Sequence, residues 1–136
     1  MQQQSYKPFK EVTAEEIKQE CLLVEDLLET LSIKPSLMPV ARLVAIMTLE
    51  KTLRYILYKE YKTITKIKFS VLIDKAEQIK YIDTLVAKQF RALKEFRNAS
   101  AHHGLINIVT EEVLIPVNEI VRQVYTLLDN FIKTDQ

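Results

Sequence analysis

Residues 36–61 read SLMPVARLVAIMTLEKTLRYILYKEY, and this stretch decides the fold. Val40, Leu43, Val44, Ile46, Met47, Leu49, Leu53, Ile56 and Leu57 recur every three to four residues and cover most of a helical circumference. A helix that is apolar on nearly every side has to be covered by other helices. Ser36 is a candidate N-cap and Pro39 is tolerated in a first turn, so the stretch predicts one central helix running to about Tyr61. Glu50 interrupts the apolar surface, and Arg54 is spaced four residues on to pair with it. That pair reads either as a structural ion pair or as part of a site.

Towards the N-terminus, residues 1–12 read as a polar arm. Thr13 followed by Glu16 is a capping box that starts helix one. Ile17, Cys21, Val24, Leu28 and Leu31 form its apolar stripe, and Leu22, Leu23 and Leu27 widen it into core or a dimer surface. Ile33 to Ser36, containing Pro35, is the connection to helix two. Towards the C-terminus, Thr63 to Phe69 alternates like a strand, but a lone strand has nothing to pair with. Lys59 to Phe69 is therefore expected to be an extended loop. Its Lys59, Lys62, Lys66 and Lys68 make it the most basic stretch, either simply solvated or placed to hold RNA phosphates.

Ser70 is placed to cap a short helix three, with Leu72, Ile73, Ala76 and Ile79 inward. Helix four follows from about Asp83. After a loop from Gly104 to Thr110, a last helix either starts at Thr110 and kinks at Pro116 or begins near Ile115. Val117, Ile120, Val121, Val124, Leu127, Leu128 and Phe131 form its stripe. The expectation is an all-α antiparallel bundle of about five helices, in one domain over residues 1–136.

Composition agrees. Nearly half of the 136 residues are hydrophobic, with one glycine and four prolines, which suits a helical domain that buries a core. A net charge of +1 gives no global attraction to nucleic acid, so any RNA contact has to be local. The single cysteine, Cys21, excludes an intramolecular disulfide and falls at core spacing, which fits a reducing compartment. The N-terminus has no apolar targeting region, and no apolar run is long enough to span a bilayer, so a cytoplasmic location and no membrane partner are expected. There is no glycine-rich phosphate loop and no Cys/His set at zinc spacing. Two adjacent histidines are a poor pair of ligands for one metal, so neither metal nor cofactor is expected.

The chemistry concentrates in Leu93 to Gly104, read LKEFRNASAHHG, which holds both histidines and the only glycine. Ile82, Val86, Phe90, Leu93 and Phe96 make it the end of an amphipathic helix, with Gly104 as a left-handed C-cap. His102 and His103 fall in the last turn. Asn98 and His102 share a face, with Glu95 one turn back, whereas Arg97 lies ~140° and ~7.5 Å from His102. Arg97 and His102 converge only if the helix bends or ends there, or if a second chain completes the site. Two plainer readings stand beside this: histidines complement the dipole at a helix C-terminus, and Arg97 pairs with Glu95 or another acid.

Arg97-Asn98, three residues and then His102 resembles the signature of the HEPN superfamily (higher eukaryotes and prokaryotes nucleotide-binding), an Arg followed after four to six residues by a His. The resemblance implies a small, commonly dimeric helical bundle. Many members are metal-independent endoribonucleases of toxin–antitoxin and phage-defence systems, and others lack catalysis and bind protein, RNA or nucleotide. Carried onto this chain, Arg97, Asn98 and His102 are the catalytic candidates. His103 rivals His102, and Lys62, Lys66 and Lys68 are candidates for holding substrate. His102 is the acid/base, because an imidazole ordinarily titrates near pH 6.5. Arg97 clamps the phosphate and stabilises the charge that develops on it. One histidine serves two opposed proton transfers poorly, and HEPN ribonucleases bring two motifs together at a homodimer interface. Single-stranded RNA and an antitoxin or regulatory protein are the implied partners. Some HEPN toxins carry a Tyr two residues after the motif His, where an antitoxin modifies it. Gly104 stands there in this chain.

Overall fold

The computed structural model describes residues 13–58, 67–105 and 114–135. Among them are five α-helices and no strand: α1 (Ala14–Thr30), α2 (Met38–Leu57), α3 (Phe69–Gln78), α4 (Thr84–His103) and α5 (Val117–Asp135). The all-α bundle expected from the periodicity is the observed fold. Helix α2 packs against the other four, α3 against α4, and α1 against α5. Ala41, Ala45, Ile46, Leu49, Leu53, Ile56 and Leu57 of α2 are all buried in one continuous core.

Two threonines share that buried surface. The Thr52 hydroxyl donates to the Thr48 carbonyl at 2.7 Å, and the Thr48 hydroxyl donates to the Val44 carbonyl at 3.0 Å. Each is thus satisfied one turn back along its own helix, which removes the cost of burying it.

Local signals place most of the helix ends. Thr13 caps α1 by accepting from the Glu16 amide at 3.2 Å, and Asp83 caps α4 by accepting from the Val86 amide at 2.8 Å. Helix α5 begins at Val117, so of the two readings at Pro116 the later start holds. The Pro116 carbonyl accepts from Glu119 and Ile120, while its ring, lacking an N–H, sits where no donor is needed. The alternative start at Thr110 lies outside the described residues.

Five expectations are corrected. Ser36 does not cap α2: it lies in a 3₁₀ turn, Pro35–Leu37, which leads into a helix without a side-chain cap. The helix ends at Leu57, short of Tyr61. Ser70 does not cap α3 either, because the helix starts one residue earlier at Phe69, whose ring is buried, with Lys68 as N-cap. Leu22 and Leu23 do not widen the core; both are exposed, whereas Ile17, Cys21 and Val24 are buried and Leu27 and Leu28 pack partly against the core. Finally, Gly104 has φ 78° and ψ 172°, which is positive φ with an extended ψ rather than the left-handed helical basin. Only glycine occupies that region readily.

The end of α3 supplies a feature with no glycine at all. Lys80 has φ 68°, the Tyr81 amide donates to the Ala76 carbonyl at 2.9 Å, and the Lys80 amide donates to Glu77 at 3.1 Å. This is a Schellman ending with lysine in the position glycine usually takes. It turns the chain so that Tyr81 meets Phe131 edge-on, with ring centroids 6.4 Å apart.

Candidate functional site

The site is built from three helices. Helix α2 carries Glu50 and Arg54 one turn apart on its outward edge, and α4 brings Arg97 across to the same carboxylate. Glu50 Oε2 accepts from Arg54 Nη2, and Glu50 Oε1 accepts from Arg97 Nη1. The three side chains are 16%, 14% and 30% exposed respectively. Arg54 is further fixed by donating from Nη1 to the Ile67 carbonyl at 2.8 Å, which ties the segment before α3 to α2. Arg97 lies over the Phe69 ring, with Cζ 5.1 Å from the centroid. A cation over an aromatic face gains electrostatic attraction as well as packing. Burial pulls both guanidinium groups below the ordinary arginine value, yet an arginine keeps its proton at neutral pH.

This ion triad is the partition between two clefts. On one side is a polar cleft of about 340 Å³, walled by Lys68, Ser70, Lys94 and Asn98 as well as by the triad and Phe69. On the other side is an apolar cleft of about 420 Å³ that reaches Leu43, Met47 and Lys51. Four cations, Arg54, Lys68, Lys94 and Arg97, therefore border the polar cleft, against one inner carboxylate, Glu50. Lys94 also pairs at 2.8 Å with Glu95, a mostly exposed neighbour.

The expected residues separate accordingly. Arg97, Asn98 and Lys68 share the wall of the polar cleft. His102 and His103 stand exposed in the last turn of α4, with ring centroids 6.3 Å apart and no hydrogen bond or ion pair among the described residues. Because α4 stays helical through His103, helix geometry keeps Arg97 and His102 ~140° apart, while His102 follows Asn98 on one face at i+4. Lys62 and Lys66 lie outside the described residues. Arg97 pairs with Glu50 of α2 rather than with Glu95.

Sequence reading missed Ser70, Lys94 and Phe69 as cleft residues, and gave Glu50 only one of its two arginines. The usable signal for Glu50 was a carboxylate on an otherwise apolar helix surface, which needs more than solvent to hold it. Lys94 carries no comparable signal, since lysines on a helix surface are ordinary. Among the described residues no helix is long and apolar enough to cross a membrane. No protein-family model, curated protein or solved structure matches the chain.

Proposed function

We propose that this protein is a metal-independent endoribonuclease of HEPN type, in which the polar cleft holds a backbone phosphate and His102 moves the protons. One observation carries the reading: Arg97 is braced by Glu50 and Phe69 at the wall of a cleft that also presents Lys68, Lys94 and Asn98, and His102 stands free one turn beyond Asn98. Arg97 spends one N–H on Glu50, which leaves the rest of its donor fork for phosphate oxygens. Lysines at 68 and 94 add charge without fixed geometry.

Cleavage would remove the proton of a ribose 2′-hydroxyl as its oxygen attacks phosphorus, and the 5′-oxygen would leave with a proton. The products are a 2′,3′-cyclic phosphate and a 5′-hydroxyl. Base and acid stand on opposite sides of phosphorus, so one His102 serves one transfer. A homodimer supplies two, with the two Arg97–His102 segments facing one another. A cytoplasmic toxin or phage-defence effector is the role such an enzyme fits.

A second reading is favoured by a specific observation. Arg97 is already paired within the chain, and His102 lies on another face of α4. A non-catalytic helical module that binds RNA through the same cleft would look the same. The test is cleavage of a mixed single-stranded RNA pool in EDTA by wild type, Arg97→Ala and His102→Ala proteins, each verified as folded, with binding measured in parallel. The enzyme reading expects losses of roughly 10²-fold for Arg97→Ala and 10²–10⁴-fold for His102→Ala. It also expects little change for His103→Ala, and a dimer by light scattering. RNA binding that Arg97→Ala abolishes, with no cleavage by wild type, establishes the module instead.

A further inference from the structure

The geometry points to a nucleobase subsite in the apolar cleft beside the ion triad, so that the protein grips a nucleotide unit of RNA rather than a phosphate alone. This rests on the reading of the polar cleft as a phosphate site. The two clefts are walled by the same Glu50, Arg54 and Arg97, so a ligand clamped at Arg97 borders both. Their chemistry differs in the way a nucleotide differs from end to end. One side is cationic and polar; the other is floored by Leu43 and Met47.

Met47 sharpens the point. It is 56% exposed on the helix that forms the centre of the core, so packing among the described residues does not account for it. A thioether is polarisable and flexible, and it makes favourable contacts with aromatic rings. The Arg97 guanidinium at the boundary, 30% exposed, offers a cationic surface on which a base stacks irrespective of sequence. A volume of about 420 Å³ is within the usual span of small-ligand clefts. An aliphatic side chain of a protein partner would cover Leu43 and Met47 but would leave the free edge of Arg97 without an anion. A nucleotide satisfies both at once.

The test uses the full chain and two labelled RNA octamers, one with bases and one abasic throughout, compared by fluorescence anisotropy at one ionic strength. Wild type is expected to bind the base-bearing octamer about tenfold tighter, the scale of one base stacked on a side chain. Met47→Ser is expected to erase that preference, whereas Leu85→Ser, another exposed apolar residue on the far part of α4, keeps it. Arg97→Ala is expected to weaken both octamers. Equal affinity of wild type for the two octamers, or a preference that survives Met47→Ser, overturns the base subsite while leaving the phosphate clamp standing. No measurable binding of either octamer overturns both.

Discussion

Replacing Glu50 by Gln keeps the side chain's shape and removes the one charge that two arginines share. At an effective dielectric near 20, a contact pair is worth ~4 kcal/mol of gross attraction. Desolvation cancels much of this, and what remains follows exposure. Exposed pairs contribute ~0–1 kcal/mol, and breaking a buried pair costs ~3–5 kcal/mol. With Glu50 and Arg54 nearly covered and Arg97 at 30% exposure, the triad lies between these limits. Glu50→Gln is therefore expected to cost ~2–3 kcal/mol, because both cations lose their partner. Over 136 residues the unfolding entropy is ~0.29 kcal/mol/K, so the melting temperature should fall by ~7–10 °C.

Arg97→Ala leaves Glu50 still paired with Arg54, and its cost should be smaller, ~1–2 kcal/mol. That exceeds the ~1 kcal/mol expected for an exposed arginine at a helix end. In the Glu50→Gln/Arg97→Ala double variant the second change should add little, giving a coupling of ~1 kcal/mol or more. Thermal and urea unfolding of the four proteins measures this. A Glu50→Gln loss under ~0.5 kcal/mol, or strictly additive costs, would refute the view that the triad holds the wall of the site.

Lys80→Gly should raise stability by ~0.5–1 kcal/mol in urea unfolding, because lysine at φ 68° carries a strain that glycine lacks. Gly104→Ala should cost ~1–3 kcal/mol although an added Cβ would meet nothing within 4 Å, so the loss is conformational alone; Gly104→Asn, whose side chain tolerates left-handed but not extended ψ, should rescue little of it. Burial, with Glu25 and Glu20 nearby, pushes the Cys21 thiol up to about 11 from an ordinary 9.0. Iodoacetamide at pH 8 should therefore label Cys21 only on unfolding. Between pH 9 and 11 the folded thiol keeps its proton and the unfolded one releases it, so stability should fall across that window.

The helices were legible because apolar spacing is a local signal, and so were the cap at Thr13, whose partner lies three residues on, and the start of α4 near Asp83. Ser36 and Ser70 have the right side chains and the wrong surroundings. A 3₁₀ turn intervenes at one, and burial of Phe69 starts the helix early at the other. The width of the α1 stripe misled because the sequence shows how many apolar residues a helix has, not how much of its circumference neighbours cover. At the site, the Glu50–Arg54 pair could be read from spacing. The contact from Arg97 to Glu50 spans 47 residues and joins two helices that no periodicity relates. The exposure of His102 was equally beyond reach, since a helix end is the same sequence whether it is covered or free.

That Glu50 and Arg54 belong to the helix packed against all the others has a consequence for how the site moves. Local opening draws on the least supported parts of a protein, whereas a central element opens only with the whole. The amides of Leu53 and Ile56, in the same turns as these side chains, should be among the last to exchange with deuterium, at rates set by global unfolding. Amides near His102 and Gly104, where α4 ends in solvent, should exchange orders of magnitude sooner. One wall of the cleft then acts as a fixed reference, and whatever adjustment accompanies a ligand falls to the exposed end of α4.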